Sequence, residues 1–211
     1  MSPTASRRPG RPPAAKADET RRRIVRAARQ VFSERGYEGA TFQAIAVRAD
    51  LTRPAINHYF ASKRALYREV VDQTNKVIIK AGFEQAEIET TLIGRLAGFI
   101  SNARRANSVD PSVAAFLVTN VLESQRHPEL STSENDVVRK SREFLTLVVS
   151  EAIERGEVAT DIDASALVET LLMVLCGVGF YAGYLRSDQQ MEAVIEMLRQ
   201  LLQGAVWRSG T

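Results

Sequence analysis

Several hydrogen-bonding side chains lie together in the stretch TFQAIAVRADLTRPAINHYFASK, residues 41–63. The apolar residues of this stretch can face inwards from two short helices, and Thr52 can cap the second helix by accepting a backbone N–H bond. The side chains left on the outer side of the second helix are Arg53, Asn57, His58 and Tyr59. A short, braced helix with polar side chains outside is an element that the DNA major groove accepts. The stretch therefore predicts a helix-turn-helix that binds DNA.

The charge of the chain is divided unevenly along its length. Residues 1–68 hold 15 Lys and Arg against 5 Asp and Glu, whereas residues 69–211 hold 13 against 20. The first part carries a formal charge of +10 and the second −7, which gives the +3 of the whole chain. A basic segment beside an acidic one indicates a module that binds a polyanion, attached to a solvated body.

Length and composition limit the other classes of protein. The longest uncharged run, residues 170–185, has 16 residues and falls short of the roughly 20 needed to span a bilayer. The N-terminus lacks the apolar run of a secretory signal. The single cysteine, Cys176, excludes an intramolecular disulfide. We therefore expect a soluble, cytoplasmic protein without a membrane segment.

Helical periodicity divides the chain into three parts, and the fold class that it predicts is all-α. Residues 1–17, rich in Pro and Arg, form a basic arm that has nothing to bury and is expected to be disordered. Residues 18–66 form a three-helix domain that contains the helix-turn-helix, and residues 67–211 form a larger helical body. The helices predicted beyond the first domain lie near 88–105, 111–125, 134–155, 163–185 and 189–206.

The boundaries of the first helices follow from single residues. Asp18 or Thr20 can cap the first helix, and Gly36 ends it, where a left-handed conformation is suited. Ser62 is expected to cap a longer helix that runs towards Lys80. The two short helices between them are expected at about 42–48 and 53–59.

The last two helical segments, about residues 163–206, predict an interface between two chains. The first of them is apolar almost all round, and a helix that is apolar on every side needs partners on every side. Two such helices from each of two chains would make a four-helix bundle. The alternative is a core within one chain. We expect a homodimer.

Eight or more positions at fixed spacing over residues 21–67 match one family pattern. The pattern has paired alanines, then Phe-x-x-x-Gly-Tyr, Thr-x-x-x-Ile-Ala and a later aromatic segment that ends in Ser-Lys. The matching residues are Ala27, Ala28, Phe32, Gly36, Tyr37, Thr41, Ile45, Ala46 and the run from His58 to Lys63. On these residues the chain resembles the TetR family of bacterial transcriptional regulators. The resemblance implies a repressor that binds an inverted-repeat operator as a homodimer and is released by a small molecule.

The resemblance also implies roles for individual residues. Arg53 and Asn57 are the candidates for base contact, because Arg can bridge guanine O6/N7 and Asn can bridge adenine N6/N7. For each of them, a phosphate contact or mere exposure is the alternative. The candidates for phosphate or sugar contact are Thr41, His58, Tyr59 and Lys63.

Two residues depart from the family pattern. Asp50 stands where the family often has Gly in the turn, and Asp tolerates the left-handed region better than most residues. Asn57 stands where an aromatic residue is common, so an operator sequence cannot be carried over from relatives.

The N-terminal arm offers further candidates for DNA contact. Arg8 and Arg11 lie in Arg-Arg-Pro-Gly-Arg-Pro, which resembles an AT-hook interrupted by Pro9. Insertion into the minor groove and diffuse attraction to phosphates are both open.

By the same resemblance, the helical body holds a ligand pocket whose occupancy changes the spacing of the two DNA-binding domains. The candidate lining residues are Phe99, Phe116, Phe144, Leu147, Met173 and Phe180. Plain core packing is the alternative for each of them. An apolar effector is favoured because the middle helices are rich in Phe, Leu and Val.

Other functional classes have little support. The two histidines and one cysteine form no metal-ligand pattern, and no Gly-rich phosphate loop or Gly-x-Ser-x-Gly turn occurs. We therefore expect that the protein is not an enzyme and that it binds no metal ion or cofactor. The closer alternative is a DNA-binding protein without an effector, either an autorepressor or an architectural protein.

Overall fold

The computed structural model describes residues 13–80, 82, 84, 88–130, 136–184 and 188–204, and every regular element within them is helical. The all-α prediction is confirmed. In chain order the α-helices are α1 (Pro13–Gly39), α2 (Phe42–Arg48), α3 (Arg53–Tyr59), α4 (Lys63–Asn75), α5 (Leu92–Val109), α6 (Ser112–Arg126), α7 (Val137–Glu154), α8 (Ala164–Tyr184) and α9 (Asp188–Leu202). A π-helical segment (Lys76–Lys80) extends α4, and a 3-10 turn (Pro128–Leu130) follows α6.

The start of α1 differs from the prediction. The helix begins at Pro13 rather than at Asp18 or Thr20. Pro is favoured in the first turn of a helix and Ala is the strongest helix former, so the sequence Pro-Ala-Ala-Lys-Ala can begin the helix earlier. The predicted arm of residues 1–17 is therefore too long at its C-terminal end. Residues 1–12, which include Arg8 and Arg11, lie outside the described residues.

Gly36 was predicted to end α1; instead it kinks the helix, which runs on to Gly39. Its backbone has φ 68° and ψ 179°, a conformation that is open to glycine almost alone. A Cβ placed on Gly36 would lie 2.9 Å from Oε1 of Glu123, a buried residue of α6. Gly36 thus lets the end of α1 bend while α6 packs closely against it.

The buried apolar residues form two cores, and α6 takes part in both. The first core is formed by α1, α2, α3 and α4 together with Phe116 and Leu130, and Ile24, Ala28 and Phe32 of α1 are fully buried in it. The second core joins the π-helical segment to α5, α6, α7 and α8. Phe116 of α6 lies in the first core, and Val113 of the same helix lies in the second.

One side of α8 is packed and the other is open. Val168, Leu171 and Leu172 are buried in the second core. On the open side, Met173 is 67% exposed and Phe180 is 62% exposed. By length and composition, α8 is the one described helix that is long and apolar enough to cross a membrane, although the uncharged run within it is shorter.

Replacing Gly36 by Ala is expected to lower the free energy of unfolding by about 2 kcal/mol, because the backbone conformation at Gly36 is strained for any other residue and the added Cβ must displace the carboxylate end of Glu123. Urea denaturation, monitored by circular dichroism, measures the loss in the free energy of unfolding. Gly156→Ala is the matched control, since Gly156 has φ 75° but nothing within 4 Å of an added Cβ. Equal losses in the two variants would contradict the collision.

Candidate nucleic-acid interface and apolar cavity

A threonine or serine side chain caps each of the helices α2, α3 and α4. The hydroxyl oxygens of Thr41, Thr52 and Ser62 accept hydrogen bonds from the backbone N–H groups three residues ahead, at 3.1, 3.4 and 3.1 Å. Each cap satisfies an N–H group that the helix itself leaves free. The predicted caps at Thr52 and Ser62 are confirmed, and Thr41 caps α2 in the same way.

The turn between α2 and α3 is held by backbone hydrogen bonds. The N–H of Ala49 donates to the carbonyl of Ile45, and the N–H of Leu51 donates to the carbonyl of Ala46 at 2.9 Å. Asp50 has φ 50°, the left-handed conformation expected for it. Ile45 and Ile56 are fully buried, so the two short helices are fixed against the first core. This bracing holds α3 in one orientation.

The outer side of α3 presents exposed polar side chains. Arg53, Asn57 and His58 are exposed, and within the described part of the chain none of them makes a hydrogen bond or an ion pair. The donors of Arg53 and the amide of Asn57 can therefore meet a base edge without first breaking an internal contact.

Tyr59 and Lys63 are placed differently from these three. Tyr59 packs partly into the first core, with its ring edge-on to His58 at 5.3 Å. The Nζ of Lys63 donates to the carbonyls of Tyr37 and Glu38 at 2.8 and 3.3 Å, and it lies 4.4 Å from the centre of the Tyr37 ring. Lys63 thus caps the C-terminal end of α1 by binding two of its carbonyl groups. Its phosphate contact remains a prediction.

A buried ion pair that the sequence analysis missed joins α1 to the start of α6. The Nη2 of Arg29 lies 2.6 Å from Oδ2 of Asp110, and the Nε of Arg29 donates to the hydroxyl of Ser112 at 3.0 Å. The side chains of Arg29 and Asp110 are only 11% and 10% exposed. The pair couples the helix-turn-helix domain to the helical body across 81 residues of sequence.

The electrostatics of Asp110 follow from this setting. Burial by itself would raise the pKa of Asp110. The hydrogen bond from Ser112 and the charge of Arg29 outweigh burial, so the pKa of Asp110 is held below its usual value.

A second polar contact made by α6 lies inside the first core. The hydroxyl of Tyr67 donates to Oδ1 of Asn120 at 3.0 Å, and the Tyr67 ring packs against Phe32 and Phe116 at centroid distances of 4.9 and 5.5 Å. Burial raises the pKa of Tyr67, so its hydroxyl stays neutral and remains a donor. The contact ties α4 to α6.

A cavity of about 310 Å³ lies in the helical body between α5, α6, α7 and α8. Its size lies at the lower end of the range for small-molecule pockets. The walls are almost entirely apolar. The described residues that line it include Phe99, Ala103, Arg104, Leu117, Val121, Val138, Ser141, Leu172, Cys176 and Phe180.

The cavity contains two of the six predicted lining residues, Phe99 and Phe180. The other four predictions need correction, because their side chains point elsewhere. Phe116 is buried in the first core, and Phe144 stands behind Phe99, with ring centroids 5.6 Å apart. Leu147 and Met173 are exposed, at 57% and 67%.

Residues 24–70 match the family model described as bacterial regulatory proteins, tetR family. The regulator UidR of Escherichia coli K12 is 26% identical over 162 residues, which cover 77% of this chain and 81% of UidR. The A-factor receptor protein of Streptomyces griseus is 28% identical over 190 residues, covering 89% of this chain and 64% of the receptor.

Among solved structures, the TetR family transcriptional regulator PfmR of Thermus thermophilus has the same fold. It superposes with a TM-score of 0.68 at 20% identity, covering 89% of this chain and 97% of PfmR. The similarity extends over the helical body as well as the helix-turn-helix domain.

Replacing Asp110 by Asn is expected to lower the free energy of unfolding by about 3 kcal/mol at pH 7, because the buried guanidinium of Arg29 loses its partner charge. The pKa of Asp110 is lower in the folded state, so this stabilisation is present at neutral pH and is lost as the pH falls through that lowered value. The difference between the variant and the wild type should therefore shrink in acid, at pH values below the ordinary pKa of an aspartate.

Urea denaturation across this pH range measures the effect. Glu143→Gln is the control, because Glu143 pairs with Arg139 on the exposed surface of α7, where such pairs contribute about 0–1 kcal/mol. A loss for Asp110→Asn no larger than that of the control would contradict a stabilising role for the ion pair.

Proposed function

The chain belongs to the tetR family of bacterial regulatory proteins, and from this premise we propose a specific mode of action for it as a DNA-binding transcriptional regulator. It binds an inverted-repeat operator as a homodimer in the cytoplasm, represses transcription and leaves the DNA when a small apolar molecule binds. The observation that carries the proposal is the outer side of α3, where Arg53 and Asn57 are exposed on a helix braced from inside.

The proposal that the protein binds DNA is supported by its charge and by the positions of the side chains on α3. The N-terminal third of the chain is strongly basic, with a formal charge of +10 over residues 1–68, which favours association with the phosphate backbone. Arg53 begins α3 and Asn57 follows one turn later, so both can face the same groove. Thr41, His58, Tyr59 and Lys63 flank them as candidates for backbone contact.

The homodimer rests on the exposed faces of α8 and α9. Met173 on α8 is 67% exposed and lies outside the cavity wall, and Met197 on α9 is 50% exposed. Packing of α8 against α6 and α7 fixes one side of the helix inside the protein, which leaves the other side for a second copy. Two helices from each copy would bury these faces in a four-helix bundle.

The proposed response to a small molecule is supported by the cavity and by the contacts of α6, which forms part of its wall. Its wall includes residues of α6, the helix that carries the contacts to Arg29 and Tyr67. A ligand that favours one position of α6 would change the spacing of the two α3 helices and release the DNA in proportion to its preference for that state. The A-factor receptor, by its name, is a relative that responds to a ligand.

A regulator without an effector, or an architectural DNA-binding protein, is the second candidate. The same α3 surface and basic charge would serve either of them. An architectural protein would bind DNA without a sequence preference, and neither alternative would respond to a ligand. The DNA selection described next tests the sequence preference, and titration with ligands tests the response.

Selection of bound fragments from random double-stranded DNA is expected to return an inverted repeat with half-sites about one helical turn apart. On that operator, Arg53→Gln and Asn57→Ala should each weaken binding about tenfold to a hundredfold and relax the preference at one base pair. Fluorescence anisotropy with operator and mutated operators measures both effects.

Arg105→Gln is the control for these variants, because Arg105 is an exposed arginine on α5 in the helical body. It should leave the affinity within about twofold of the wild type. A loss that is equal on every DNA sequence would assign Arg53 and Asn57 to phosphate contact. Binding without any consensus would favour the architectural candidate.

Replacing Met173 and Met197 together by Glu is expected to convert the dimer into monomers, because the carboxylates would be buried between the copies. Sedimentation velocity measures the mass, and circular dichroism checks that the helices remain. Val109→Glu is the control, since Val109 is a 76% exposed apolar residue at the end of α5. A double variant that stays dimeric would contradict the proposed interface.

A further inference from the structure

We propose that the effector is an apolar molecule with one anionic headgroup, and that Arg104 binds this headgroup while the cavity holds the apolar part. The inference rests on the proposed function and specifies the chemical class of its ligand. It concerns the cavity between α5, α6, α7 and α8.

The first observation is the position of one charge in an apolar wall. Of the described residues that line the cavity, Arg104 alone is charged. Its side chain is 33% exposed, so it stands at the border between the cavity and solvent. A guanidinium carries five N–H donors and accepts nothing, and its planar arrangement fits a carboxylate or a phosphate.

The second observation is that the donors of Arg104 are available. Within the described residues Arg104 donates no hydrogen bond, and its one ion pair is with Glu192 of α9 at 4.0 Å. Glu192 is itself 69% exposed, and such a distant surface pair contributes little. A ligand anion can therefore replace Glu192 at small cost and form short, charge-assisted hydrogen bonds.

The third observation is a hydroxyl in the same wall. Ser141 of α7 lines the cavity and is 8% exposed, and within the described part of the chain its side chain makes no hydrogen bond. A serine hydroxyl can donate one hydrogen bond and accept others, so it can contact a polar atom of a ligand. Ser141 thus offers a second hydrogen bond to an oxygen atom of the ligand.

The size of the cavity limits the apolar part of the ligand. About 310 Å³ corresponds to the volume of roughly ten water molecules. That volume suits a single aliphatic chain or one small ring system. An anion without the apolar part would lose the burial that the walls offer, and a neutral molecule would leave the donors of Arg104 unused.

Isothermal titration of the full-length protein with straight-chain carboxylates from hexanoate to tetradecanoate tests the inference. The primary amides of the same lengths are the neutral comparison, and octyl phosphate distinguishes a phosphate headgroup from a carboxylate. The best anionic ligand should bind at least about tenfold more tightly than its amide, as expected for a hydrogen bond to a charged group.

Arg104→Gln should remove this preference, and Arg105→Gln should retain it, since Arg105 is the neighbouring exposed arginine and lies outside the cavity wall. Ser141→Ala should weaken the binding of anion and amide alike. Melting temperatures of the unliganded variants check that the fold is unchanged.

Equal affinity for anions and amides, or an unchanged preference in Arg104→Gln, would overturn the inference, as would the absence of binding by every compound. Release of operator DNA is scored separately. If amides bind and release the DNA, the inference fails while the proposed function stands. If an anion binds through Arg104 but operator binding is unaffected, the ligand class stands and the effector mechanism fails.

Discussion

The packing of α6 against α1 and α4 is the contact on which the rest of the structure depends, because α6 belongs to both cores. Phe116 lies in the first core and Val113, three residues earlier, lies in the second. Polar contacts hold the same helix at Asp110, just before its start, and at Asn120. Closely packed side chains have few alternative arrangements, so a movement of α6 in one core must be accommodated in the other.

This arrangement gives the proposed effector a short physical route to the DNA. Helix α6 lines the cavity and also makes the contacts to Arg29 and Tyr67. A ligand therefore does not need a long chain of intermediate side chains to influence α1 and α4. In this chain α3 is fixed by its caps and by buried Ile56. The ligand would therefore change the distance between two rigid recognition helices and leave each helix intact.

The local features of the helix-turn-helix could be predicted because they depend on neighbours in sequence. Caps at Thr52 and Ser62, the left-handed residue Asp50 and the interruption at Gly36 each involve residues at most a few positions apart. The predicted start of α1 lies too far towards the C-terminus. Asp18 and Thr20 resemble caps, but the alanines after Pro13 already form helix. Of the six residues predicted to line a ligand pocket, Phe99 and Phe180 lie in the wall of the cavity.

The sequence by itself determined that the chain is helical, which residues of α1 to α3 face inwards and which side chains α3 presents outside. Helical periodicity and capping are local, so they can be derived from spacing alone. Only the tertiary structure decided which core each aromatic residue joins, that Arg29 meets Asp110, and that Arg104 is the one charged residue among the described residues of the cavity wall. Periodicity states that a residue is buried, but the partner on the facing helix depends on how distant segments pack.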